Sequence, residues 1–172
     1  LNVDITDTFG PFRYPNQYVN FNPASAAVQK GAELSAGAAD QIGVVTAIYN
    51  YVINNLTYDT AKAQSVQSGY LPNVDVVLAQ HTGICFDYAA LMTAMLRSQN
   101  IPTKLVVGYT RSLYHAWINV YLDGQGWVDN VIYFDGHDWK LMDPTFASSG
   151  KQSREIMQYI GNGSNYKAKY SY

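Results

Sequence analysis

Ile42, Val45, Ile48, Tyr49, Val52 and Ile53 recur at three- and four-residue intervals, the spacing that gathers apolar side chains on one face of an α-helix. Asp40 stands just ahead of this run, where a carboxylate can accept an orphan N–H of the first turn and serve as the N-cap. Upstream, the alanine-rich stretch 24–36 predicts another helix, weakened by Gly31. Residues 1 to about 22, with Pro11, Pro15 and Pro23 in or beside them among scattered aromatics, predict an extended arm lying on the domain. Residues 60–72 are polar and contain glycine, and predict a surface loop. Asn73 or Asp75 is placed to cap a short helix through Val76, Val77 and Leu78, with Gly83 closing it. The next helix runs from Cys85 to about Gln99. Ala89, Met92, Ala94, Met95 and Leu96 make it largely buried, and Ile101-Pro102 forbids its continuation.

From Thr103 onward the period changes to that of strands. Residues 104–109 give the first and 115–122 the second, and Asp123-Gly124-Gln125-Gly126 is a hairpin signal. Residues 127–134, 139–143 and the tyrosine-rich tail 166–172 supply further strands, with Asp135-Gly136 as another turn. Helices first and antiparallel strands afterwards predict an α+β domain. With 172 residues the chain is read as one domain, 1–172, large enough to bury a core.

Composition narrows the function classes. Hydrophobic residues make up 48%, ordinary for a folded protein and contrary to disorder. Net charge is −2 and no run of lysines or arginines occurs, so nucleic acid and anionic lipid find no electrostatic footprint. No apolar stretch approaches the roughly 20 residues that span a bilayer. The chain starts at Leu1 with no signal-like segment and is read as a mature or truncated form. Charged residues are only 14% while tyrosines number 15, a surface suited to a secreted or cell-surface protein. A single cysteine precludes an intrachain disulfide and leaves the redox compartment open.

That cysteine, Cys85, sits in Gly83-Ile84-Cys85-Phe86-Asp87-Tyr88-Ala89-Ala90-Leu91. A lone cysteine is ordinarily a small core hydrophobe. This one follows a Thr-Gly break at a helix start, where partial positive charge and free N–H groups favour a thiolate. Its own N–H, lacking an intrahelical acceptor, can donate to a developing oxyanion. Asp87 in the same turn is read as structural, a carboxylate serving the helix dipole. His115 opens a strand between Tyr114 and Trp117. It is either a packed aromatic or the group that holds the thiolate as an ion pair and protonates a leaving amine. His81 and His137 are weaker candidates, and a metal site of Cys85, His81 and His115 lacks the paired spacing of zinc ligands. Asp143 comes later, completing the chain order nucleophile, base, orienting carboxylate.

Four separated motifs occur in order: Gly83 to Ala89; Arg97 with Asn100-Ile101-Pro102-Thr103-Lys104 and Val106-Val107-Gly108-Tyr109; His115-Ala116-Trp117; and Trp139 with Asp143-Pro144-Thr145. Together they resemble the transglutaminase-like core, of bacterial type, over roughly residues 58–146. Residues 1–57 (arm and helices) and the tail 147–172 flank that core. The resemblance implies a papain-like arrangement, with the Cys85 helix packed on an antiparallel sheet that carries His115 and Asp143. It also implies that Cys85 is the nucleophile, His115 the base and Asp143 the residue orienting His115. Compact members join the histidine strand directly to the aspartate strand, whereas here residues 127–137 are interposed. Asp129 therefore stands at nearly the usual distance from His115. Trp139 precedes Asp143 by a Trp-x-x-x-Asp interval and Pro-Thr follows it, which favours Asp143.

The implied reaction is thiolate attack on an amide carbonyl of a protein or peptide substrate, giving a thioester that water or an amine resolves. A chain of this size has little surface with which to bind a second protein and exclude water, so hydrolysis, as a cysteine peptidase or amidase, is favoured over cross-linking. No metal or organic cofactor is implied. Gln80 and Tyr70 are candidates for a second oxyanion donor. A non-catalytic cell-surface binding module is the alternative from another class.

Overall fold

Every residue from Asp87 to Arg97 is buried, so the helix that begins at Cys85 is enclosed on all sides. The computed structural model describes residues 6–110, 112–128, 132–134, 139–141 and 165–172. In it the central helix α6 (Cys85–Ser98) packs on α2 (Ala26–Ser35), α3 (Gln41–Asn55) and α5 (Val74–Gln80) on one side. Strands β3 (Thr103–Thr110) and β4 (Leu113–Leu122) lie on the other. Short elements complete the helical half: α1 (Gly10–Arg13), β1 (Thr57–Tyr58), α4 (Thr60–Ser65) and β2 (Thr82–Gly83). The antiparallel sheet continues through β5 (Gly126–Val128) and β8 (Tyr166–Ser171), in the order β5-β4-β3-β8. β6 (Ile132–Phe134) and β7 (Trp139–Leu141) pair separately. This is the α+β arrangement expected of the sequence.

Asp40 caps α3 by accepting the N–H of Gly43 at 2.8 Å, and Val45, Ile48, Tyr49, Val52 and Ile53 are buried as their spacing requires. Gly31 costs α2 some helix propensity but permits a close approach. A Cβ there would lie 3.1 Å from the carbonyl oxygen of Met95 in α6. Two expectations are corrected. Residues 60–65 are a helix, not loop, because Asp59 accepts the N–H of Lys62 and nucleates the turn. Within the arm, Gly10–Arg13 forms α1, where Pro11 sits in the first turn and Asp7 accepts the N–H groups of Phe9 and Gly10. Of the two candidate caps for α5, Asn73 is the one used, while Asp75 accepts the N–H of Ala27. α5 closes at His81, in the left-handed conformation at φ 55°, so that Gly83 is free to join β2.

The tail returns as β8 to the outer edge of β3, and Tyr172 and Leu105 exchange backbone hydrogen bonds. Arg97 locks this closure. Its guanidinium is buried and donates to the carbonyls of Thr103, Tyr14 and Tyr172, joining α6, arm and tail. Burial lowers its pKa to about 10. Gly108 sits at the register shift between β3 and β8, where the two backbones approach closely. A Cβ there would fall 2.1 Å from the carbonyl oxygen of Lys167 and 2.9 Å from the Trp117 ring. Gly108→Ala is therefore expected to cost about 1–3 kcal/mol by overpacking, read as a lower urea midpoint. A midpoint equal to that of the parent protein would show that β8 does not lie this close.

Candidate active site

Cys85 is the first residue of α6, and the turn that presents it is held by one carboxylate. Asp87, fully buried, reaches back so that its Oδ2 accepts the N–H of Ile84 at 2.9 Å. Gly83 makes room, since a Cβ there would meet the Asp87 Cβ at 2.6 Å. The same carboxylate accepts Lys62 Nζ at 2.7 Å on Oδ2 and the Tyr70 hydroxyl on Oδ1. Its role is thus larger than the dipole partner expected from sequence. It ties α4, through Lys62, and the segment after it, through Tyr70, to the start of the Cys85 helix.

The electrostatics follow from this junction. Partial burial works against the Lys62 ammonium, but the hydrogen bonds to Asp87 and Tyr70 outweigh it and hold its pKa above the usual value. Burial, and then the hydrogen bond to Asp87, push the Tyr70 phenol up as well. For Lys62 the stabilisation is complete below the unfolded value of 10.5 and is lost as pH climbs through the raised folded value, so the junction is intact near neutrality. Lys62→Met leaves Asp87 buried with two donors and no cation. We expect a loss of about 2–3 kcal/mol, since removing one partner of a buried pair strands the other. An unchanged urea midpoint would contradict this account of the junction.

His115 lies on β4 directly opposite Gly108 of β3 and is 4% exposed. Its ring stacks on Trp117, centroids 6.4 Å apart at 24°, and meets Tyr166 at 6.4 Å. Trp117 is itself buried edge-on to Tyr166 at 5.2 Å, so core packing fixes the imidazole plane. Tyr109, by contrast, is partly exposed against Tyr114.

A cleft of about 620 Å³ opens between the α4 side and the β3–β4 end of the sheet, and both Cys85 and His115 line it. The fold thus brings together two of the three residues named from sequence. Asp143, Asp129 and His137 lie outside the described residues. His81 is exposed at the end of α5 and does not line the cleft, so the cluster Cys85, His81 and His115 is not assembled. Among the described residues no three His, Cys, Asp or Glu side chains gather as metal ligands. Gln80 is exposed and absent from the lining; Tyr70 lines the cleft, but its hydroxyl proton is committed to Asp87. Sequence reasoning missed Lys62, whose partner stands 25 positions away. The capping Asp59 was the signal available for its helix.

Comparison with known proteins bears on this geometry. A curated relative, the uncharacterised protein YebA of Bacillus subtilis, is 30% identical over 104 residues, covering 49% of this chain and 14% of its own length. A structure from Cytophaga hutchinsonii, described provisionally as a cysteine protease, superposes with a TM-score of 0.63 at 20% identity. It covers 98% of this chain and 48% of the other. The periplasmic domain of TgpA from Pseudomonas aeruginosa gives 0.57 at 22% identity, over 83% and 49%. The chain therefore spans about half of these structures and a small part of the Bacillus protein. The likeness shows that the fold is shared. The family model of the transglutaminase-like superfamily matches residues 28–130, more than half of the chain, and takes in both Cys85 and His115. The chain belongs to the transglutaminase-like superfamily.

Proposed function

We propose that the protein is a cysteine-dependent amide hydrolase of transglutaminase-like type, with Cys85 as nucleophile, His115 as base and Asp143 as the carboxylate that orients His115. The observation that carries this reading is a thiol at a helix start sharing one cleft with a histidine held by core packing. The thiolate of Cys85 adds to an amide carbonyl, forming a C–S bond and an oxyanion that the Cys85 N–H is placed to receive. The C–N bond then breaks as protonated His115 gives its proton to the leaving amine. Water attacks the thioester, His115 takes the proton from that water, and the C–S bond breaks to release the acid and restore the Cys85 thiolate beside protonated His115. The chemistry needs no metal or organic cofactor.

We favour water as the acceptor because Leu113 and Tyr114, which line the sheet side of the cleft, are 56% and 54% exposed and leave that side in reach of solvent. An amine acceptor, and so protein cross-linking, is the second reading; it requires a cover that excludes water. We place the protein outside the cytoplasm, as a secreted or cell-surface protein acting on protein or peptide. The sparse charge and the likeness to a periplasmic domain support this. Among the described residues no helix is long and apolar enough to cross a membrane.

Iodoacetamide labelling tests the site directly. Cys85 is expected to be alkylated faster in the native protein than in His115→Ala, and a rate identical in the two would remove the ion-pair role of His115. A glutamine-containing peptide library with a labelled primary amine then separates the acceptors. Free acid or cleaved peptide is expected; Cys85-dependent amine incorporation with little of either would make the protein a transferase.

A further inference from the structure

The walls of the cleft carry a second message, about what occupies it. On the α4 side stand Val66, Tyr70 and Leu71; on the sheet side stand Leu113, Tyr114 and Tyr172. Among the described residues lining the cleft none is Asp, Glu, Lys or Arg. Lys62 and Asp87, which stand behind Tyr70, are spent on each other. Val66, Leu71, Leu113 and Tyr114 are 36–56% exposed, and all four stand on these two walls. Large apolar groups left half in water beside a nucleophile form the kind of patch that marks a binding surface. The volume of about 620 Å³ exceeds one side chain and falls in the range of small-ligand sites.

We propose that this cleft is a subsite for a bulky, uncharged side chain of an extended peptide, next to the carbonyl that Cys85 attacks. The proposal rests on the acyl-transfer reading for the position of that carbonyl. An apolar side chain entering between the two walls sheds its hydration at a gain of about 25 cal/mol per Å². An ionised side chain loses its water and meets no Asp, Glu, Lys or Arg among the described residues of these two walls. The exclusion of charge is thus built from the same residues that supply the attraction. Tyr70 belongs to this surface through its ring, since its hydroxyl is held by Asp87 and Lys62.

The test separates binding from chemistry. Acetyl-Ala-X-Gln-Gly-amide peptides with X as Phe, Leu, Lys or Asp are titrated by calorimetry into Cys85→Ala, which cannot acylate. Phe and Leu peptides are expected to bind at least roughly tenfold more tightly than Lys and Asp peptides, the factor typical of a well-formed apolar pocket. Leu71→Asp and Leu113→Asp in that background, at exposed positions, are expected to weaken the Phe peptide and strengthen the Lys peptide. Equal affinities, a preference for a charged side chain, or no binding by any of the four would overturn the subsite. Selective binding, together with iodoacetamide labelling that ignores His115, would leave the subsite standing and remove the acyl-transfer reading instead. His115-dependent labelling without selective binding would do the reverse.

Discussion

Cys85→Ala and His115→Ala are each expected to abolish turnover of an acyl-donor peptide, by a factor on the order of a million where a nucleophile and its base act as one unit. The thiolate is the attacking group, and without it no thioester forms. The imidazole holds that thiolate and carries the proton to the leaving amine, so its loss stalls both halves of the reaction. The informative variant is the double one. If Cys85 and His115 act together, Cys85→Ala with His115→Ala is no worse than either alone; additive losses would mean that they contribute separately. Stability must be followed in parallel. Cys85 is only partly buried, and its truncation is expected to leave the urea midpoint nearly unchanged. His115 is 4% exposed against Trp117 and Tyr166, so its truncation leaves a cavity beside the indole. His115→Gln, which keeps most of that volume, is therefore the variant that isolates chemistry from packing. Full activity in His115→Gln would end the catalytic assignment.

What could be read in the sequence, and what could not, divides along physical lines. α3 and α6 were legible because apolar periodicity, a capping carboxylate and a Pro102 stop all agree locally. Cys85 could be placed at a helix start and His115 near a strand start, and the structure puts both on one cleft. α4 was hidden by its polar composition, since its stability comes from Asp59 at its start and from Lys62 reaching a buried carboxylate. That ion pair joins residues far apart in the chain, and no periodicity encodes it. The tail was readable as a strand, yet its partner was not, because strand pairing depends on how the whole sheet closes. Gly31 and Gly108 show a related limit. In sequence a glycine signals weakness, whereas here each marks a place where another backbone approaches too closely for a Cβ.

Asp143→Asn is expected to lower turnover by about ten-thousand-fold, the scale seen when an orienting carboxylate is neutralised in place, while Asp129→Asn changes it by only a small factor. An orienting carboxylate accepts from one ring nitrogen of the histidine, which selects the tautomer and stabilises the imidazolium. Only one acidic residue can hold that position. Both candidates lie outside the described residues, and the family match ends at residue 130, so it includes Asp129 and stops short of Asp143. The choice therefore rests on local sequence. Trp139 precedes Asp143 at a four-residue interval and Pro144-Thr145 follows it, whereas Asp129 directly follows β5 with neither neighbour. The measurement is kcat for both variants across pH, beside their urea midpoints. With the orienting residue gone, the pH dependence attributed to His115 should shift as well as the rate fall, which a merely structural carboxylate would not produce. If Asp129→Asn proved the damaging change, the alignment of the final strand would be wrong although the reaction class would survive. If both variants kept parental turnover and pH profile, Cys85 and His115 would be working as a pair without a carboxylate.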